Sequence, residues 1–135
     1  MTVAEISAAF GLVPDSAHER GDRCRKPNGE EVGGIREHAF WRKELRPDDG
    51  QSLDEFCKSL VSQLATRKAA LQNLQHLGGA IECFVGIFAR RLCDTQFPWM
   101  LLAQLGELRI DLRLDYYSDG DCGSSDGRLA DELED

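Results

Sequence analysis

At 135 residues with a formal net charge of −8, the chain is the size of one domain and large enough to bury a core without a metal or disulfide staple. Hydrophobic residues make up 41% and charged residues 30%, which excludes a disordered chain, and no apolar run reaches the ~18 residues of a membrane span. Residues 118–135 hold seven acids and one arginine, so the body is nearly neutral; a general nucleic-acid binder would need a broad basic face.

In chain order, "TVAE" is a capping box, with Thr2 as N-cap and Glu5 three residues on. The helix it opens carries Val3, Ile6, Phe10 and Val13 on or near one face, and it stops at Gly11 before Pro14. Residues 15–34 keep no period of 2 or 3.6 and read as a loop rich in Gly, Pro and charge. "EHAFWRKEL" (37–45) reads as a strand anchored by Trp41 and broken by "RPDDGQ".

Ser52 and Glu55 form a second capping box. Leu53, Phe56, Cys57, Leu60, Val61 and Leu64 then make a strong amphipathic stripe. It resumes at Leu71, Leu74 and Leu77 after Thr66-Arg67-Lys68, where a bend or a second short helix is expected, and Gly78-Gly79 closes it. "AIECFVGIFA" (80–89) reads as a central strand from its unbroken apolarity. "FPWMLLAQLG" (97–106) reads as a short helix with Pro98 near its first position. "LRIDLRLDYY" (108–117) alternates, with Leu108, Ile110, Leu112, Leu114 and Tyr116 toward a core and Arg109, Asp111, Arg113, Asp115 and Tyr117 away from it.

A strand with one wet face implies helices mainly on one side of the sheet. The expected fold is α/β (α+β), a two-layer sandwich with a mixed sheet of three to four strands over residues 1–117. An acidic flexible tail is expected over 118–135.

The pieces "ISAAFGLVP" (6–14), "RGD" (20–22), "FWRKE" (40–44), the long helical segment, "CFVGIF" (83–88) and "LRIDLRLDYY" resemble, in order and spacing, the bacterial domain of unknown function 4279 family over about residues 4–117. The resemblance implies a small α/β fold with an unassigned role and brings no catalytic residues. Members usually have a strand before the first helix, whereas Met1 falls almost at the N-cap here. If that strand is missing, its neighbour is an unpaired edge, open to another copy or a partner strand.

Two contact surfaces are expected. One is the basic loop, with Arg20, Arg23, Arg25 and Lys26 offering charge to a phosphate or carboxylate surface; as a bare charged loop it also has an ordinary solvated reading. The other is the wet strand face, where Arg113 and Tyr117 are residue types enriched at interface hot spots.

Chemistry finds little support. No C-x-x-C, H-x-x-x-H, G-x-S-x-G or phosphate-loop motif occurs, so no metal, cofactor or catalytic residue is assigned. The five cysteines read as reduced thiols, Cys57 and Cys83 among them as core residues, and His38 is the histidine least explained. The expected function is non-enzymatic protein binding in a bacterial cytoplasm by a toxin-neutralising immunity protein or a regulatory module, without nucleic acid or membrane. The alternatives are an enzyme or small-ligand binder with a pocket between helices and sheet, and a structural protein that self-associates through an exposed sheet edge.

Overall fold

A computed structural model describes residues 1–89 and 94–118. Cys93, Cys122 and the acidic segment beyond Ser118 lie outside the described residues.

Helix α1 (Val3–Phe10) starts on the capping box: Thr2 Oγ1 accepts the Glu5 N–H at 3.2 Å, and Glu5 Oε2 accepts the Thr2 N–H at 2.6 Å. It ends on Gly11, whose φ of 67° is a left-handed cap that donates to Ser7 O. Strands β1 (Ser16–His18), β2 (Arg23–Arg25), β3 (Glu31–Ile35) and β4 (Phe40–Arg42) follow. β1 pairs antiparallel with β4, and β2 with β3.

The expected loop over 15–34 is therefore an ordered, hairpin-bearing segment. Its signal is Pro27-Asn28-Gly29, a tight turn closed by Gly29 N–H on Lys26 O, with Gly29 at φ 86°. Short, exposed strands carry no apolar alternation, and this hid them from the periodicity argument.

Helix α2 (Leu53–Ala65) and helix α3 (Lys68–His76) are separate, with the break at Thr66-Arg67. Arg67 crosses to α1 and donates to Ala8 O at 3.2 Å, a cation at a helix C-terminus. Strand β5 (Ile81–Ala89), helix α4 (Trp99–Glu107) and strand β6 (Ile110–Ser118) form a β-α-β unit with β5 and β6 parallel. Gln75 on α3 clamps the turn into β6: its amide donates to Leu108 O and Arg109 O at 2.9 and 3.0 Å, where Arg109 holds φ 54°.

The main core joins α2, α3, α4 and the start of β6 through Cys57, Val61, Leu64, Leu71, Leu101 and Ile110. A second cluster sets Ile6 and Ala9 of α1 against Leu74 and Trp41. The fold is thus mixed α and β, with α2 and α4 covering one face of β5–β6.

Among the described residues the strands pair two by two, and no sheet of three or four strands is seen. β5 is not central there: it pairs with β6 alone, and Phe84 and Phe88 of its apolar run are exposed on the outward face. The alternation of β6 holds, but its inner row is covered only at Leu108, Ile110 and partly Leu112; Leu114 and Tyr116 are exposed.

Three surface carboxylates are held below their ordinary range. Glu5 accepts the Thr2 N–H and faces the N-terminal ammonium; Asp15 accepts the Glu44 N–H and the Lys43 ammonium; Asp54 accepts the Ser52 hydroxyl and the Lys58 ammonium. A carboxylate more acidic in the folded state binds fewer protons there than in the unfolded chain, so stability falls as pH drops through that window. The melting temperature should be flat from neutrality to about pH 5 and fall below about pH 4. Asp15→Asn should lower the plateau and shorten the fall; an unchanged profile in thermal scans across pH would contradict the assignment.

Candidate functional site

The basic hairpin is built from β2 and β3, whose register sets Arg25 opposite Glu31 and Arg23 opposite Ile35 across a bulge. Glu31 lies between two guanidinium groups, 2.9 Å from Arg23 and 3.5 Å from Arg25, and Glu30 pairs with Lys26 at 3.0 Å. Three of the four expected contact cations thus face two carboxylates of their own hairpin.

Arg20 lies apart, in the 19–22 turn at the hairpin base. There Asp22 Oδ2 accepts the Glu19 N–H at 2.7 Å, and Gly21 holds φ 93°. The "RGD" triplet serves this turn, and Glu19 in turn accepts the Val3 N–H at 2.8 Å, tying the turn to α1. A hairpin whose charges are matched at home offers a weak field to an anionic partner.

The outward face of β5–β6 is different. Cross-strand register places Glu82 beside Asp111, Phe84 beside Arg113, Gly86 beside Asp115 and Phe88 beside Tyr117. Phe84, Phe88 and Tyr117 are 47%, 81% and 42% exposed. Phe88 and Tyr117 stack with centroids 4.7 Å apart and planes 9° from parallel.

Gly86 is the floor between these rings. A Cβ placed on it would meet Phe88 at 3.4 Å, Tyr117 at 3.8 Å and Phe84 at 3.9 Å. The result is a shallow, ring-walled dip with Arg113 beside it, paired to Glu82 at 3.2 Å, while the Tyr117 hydroxyl donates to Asp115 at 3.4 Å. Arg113 and Tyr117 are the expected contact residues on this face; Phe84, Gly86 and Phe88 join them unexpectedly. Their F-x-G-x-F spacing has a strand period and was the available signal.

On the covered side, Cys57, Cys83, Phe97, Leu101 and Leu112 help to line a cleft of about 20 Å³ between α2, α4 and the strands. It has room for about one water, but its apolar walls give a water no partner, and a small-molecule site would need roughly 300 Å³ or more. Burial pushes the Cys57 thiol up to about 11, and burial also raises Cys83. Both are protonated at neutral pH, and the thiolate is the nucleophile.

His18 stacks on Phe40 with centroids 5.3 Å apart, and His38 and His76 are exposed. Among the described residues no group of three or more His, Cys, Asp or Glu side chains could hold a metal ion, and no helix is long and apolar enough to cross a membrane.

No curated protein and no solved structure matches the chain. A family model described as Domain of unknown function (DUF4279) matches residues 1–119. That span holds α1 through β6, including both surfaces described above, and so the chain belongs to the DUF4279 family.

Proposed function

We propose that this chain is a non-enzymatic protein-binding module that meets its partner through the outward face of β5–β6. The carrying observation is the exposed trio Phe84, Phe88 and Tyr117 around Gly86. A parallel strand pair is ordinarily covered on both faces, so an open aromatic face on one is a surface that gains from a partner. Rigid rings beside an arginine are the composition of interface hot spots.

The basic hairpin is the lesser surface, because Glu30 and Glu31 already occupy Arg23, Arg25 and Lys26. Neutralisation of a toxin in a bacterial cytoplasm is the specific role we favour, since it needs surface complementarity and no reaction centre. One further strand on the β5–β6 pair would make a sheet of three, and a second pair a sheet of four.

The experiment places a photoreactive phenylalanine analogue at Phe88 or at Arg25 in the full chain, in cells. The Phe88 position should crosslink one protein, competed by the unlabelled chain, and Phe88→Ala should weaken binding of that protein about tenfold or more. Crosslinking from Arg25 and not from Phe88 would reverse the assignment. For the neutralising role, the crosslinked protein expressed alone should arrest growth, and co-expression of this chain should restore it.

A further inference from the structure

We infer that two copies of this chain join by antiparallel pairing of β6 with β6 about a two-fold axis at Leu114, making one continuous four-stranded sheet in the order β5-β6-β6-β5. Among the described residues β6 pairs with β5 alone, so half of its backbone groups face away from β5 along an edge that no described strand joins.

Cover also runs out toward that edge. Val85 and Leu114 are register partners on the same inner face, yet Val85 is 9% exposed and Leu114 is 48%. Past α4 the inner row of β6 is open to solvent at Leu114. The outer edge of β5 has no such gradient, since Val85 is buried and Cys83 and Ile87 are part-covered.

The occupant follows from the charges. The outward row of β6 reads Asp111, Arg113, Asp115, Tyr117. In antiparallel pairing about Leu114, the midpoint of the strand, Arg113 stands opposite Asp115 of the second copy, twice by symmetry. Asp111 stands opposite Tyr117, whose hydroxyl can donate to it. The inner row sets Leu114 against Leu114 and Leu112 against Tyr116. Centring the axis on Arg113 would place Arg113 against itself and Asp111 against Asp115; centring it on Asp115 would place Asp115 against itself. An axis at Leu112 would also oppose Arg113 to Asp111 but would pair only residues 110–114 of the strand, whereas the axis at Leu114 pairs all of Ile110–Ser118; the strand is self-complementary about its leucines, self-repelling about Arg113 and Asp115, and fully paired only about Leu114.

Arg113 keeps Glu82 in this arrangement, because a guanidinium has donors for two carboxylates. The axis is perpendicular to the sheet, so the helices of both copies stay on one side and the two Phe84–Phe88–Tyr117 faces lie together on the other. The pairing uses the edge of β6 and does not depend on what binds that face.

The test is the mass of the full chain by sedimentation equilibrium at about 100 μM, well above a micromolar Kd. The expected result is twice the chain mass of 15.1 kDa. Asp115→Arg alone puts Arg against Arg, and Arg113→Asp alone puts Asp against Asp, so each variant should run as a single chain with unchanged far-ultraviolet circular dichroism. Mixed in equal amounts they restore both Arg–Asp pairs, and the doubled mass should return as a heterodimer. A wild-type chain of single mass overturns the proposal without any variant. Doubled mass in both single variants, or a mixture of folded variants that stays monomeric, overturns it as well. The partner crosslink from Phe88 is read separately, so either idea can fail without the other.

Discussion

Replacing Leu71 by Ala should cost about 3 kcal/mol of folding stability, in the usual range for a large aliphatic deleted from a closed core. Leu71 is fully buried in the cluster that joins α2, α3, α4 and the start of β6, with Val61 and Leu101 the other side chains so completely enclosed. Its removal leaves a void between rigid elements that cannot close over it, so lost contacts add to the transfer term. For a domain with a net stability on the order of 5–15 kcal/mol, this is a large fraction. Urea denaturation should show a lower midpoint with little change in slope. Leu77→Ala is the control. Leu77 continues the same leucine spacing past Leu74, but it is exposed at the C-cap of α3, so its loss should lie within about 0.5 kcal/mol. Equal costs at the two positions would mean that the packing described here is wrong.

That pair of leucines shows where sequence reasoning reached its limit. The stripe Leu71, Leu74, Leu77 was legible as a helix face, and both capping boxes, the Gly11 stop and the break at Thr66-Arg67 were legible from local chemistry. These are short-range effects, each decided by residues three or four apart. How far a stripe is covered depends on which element crosses it, and that is long-range.

The same distinction explains the strands. "LRIDLRLDYY" announced its period of 2, but nothing local says that α4 covers the inner row only as far as Leu112. "AIECFVGIFA" reads as central because an unbroken apolar run ordinarily fills two covered faces. Here Phe84 and Phe88 belong to an outward aromatic face. The β2–β3 hairpin was missed for the opposite reason. Its strands are short and polar, held by turn chemistry at Pro27-Asn28-Gly29 and by Glu31, so periodicity had nothing to report. Of the expected contact residues, those on the regular strand, Arg113 and Tyr117, fell on the exposed aromatic face. Those in the β2–β3 hairpin, Arg23, Arg25 and Lys26, lie beside carboxylates that the sequence shows only as neighbours in the chain.

Trp41→Ala should cost about 3 kcal/mol and should act first on the N-terminal half of the molecule. Trp41 joins β4 to α1: its ring stacks on Phe10 at 4.7 Å with planes 9° apart, and its indole N–H donates to Ser7 Oγ at 3.0 Å. It also packs on the cluster of Ile6, Ala9 and Leu74. Among the described residues, Ala39 packs on the same cluster and adds to the link between residues 15–44 and the helices. The Val3 N–H, which donates to the Glu19 carboxylate at 2.8 Å, is the clearest further link.

Removing the indole should therefore let the β1–β4 and β2–β3 segment open while the α2–α4 core remains. Limited trypsin digestion should show faster cleavage among Arg20, Arg23, Arg25 and Lys26, with a protected fragment beginning near α2. Trp41→Phe keeps the stack and loses the hydrogen bond, so it should cost about 1 kcal/mol, and a double-mutant cycle with Ser7→Ala should isolate that bond. The functional consequence separates the two candidate surfaces. A partner held by Phe84, Phe88 and Tyr117 should still bind the Trp41→Ala chain at temperatures where its core is folded. A partner held by the hairpin should be lost as soon as that segment opens, and that loss would move the contact surface to β2–β3.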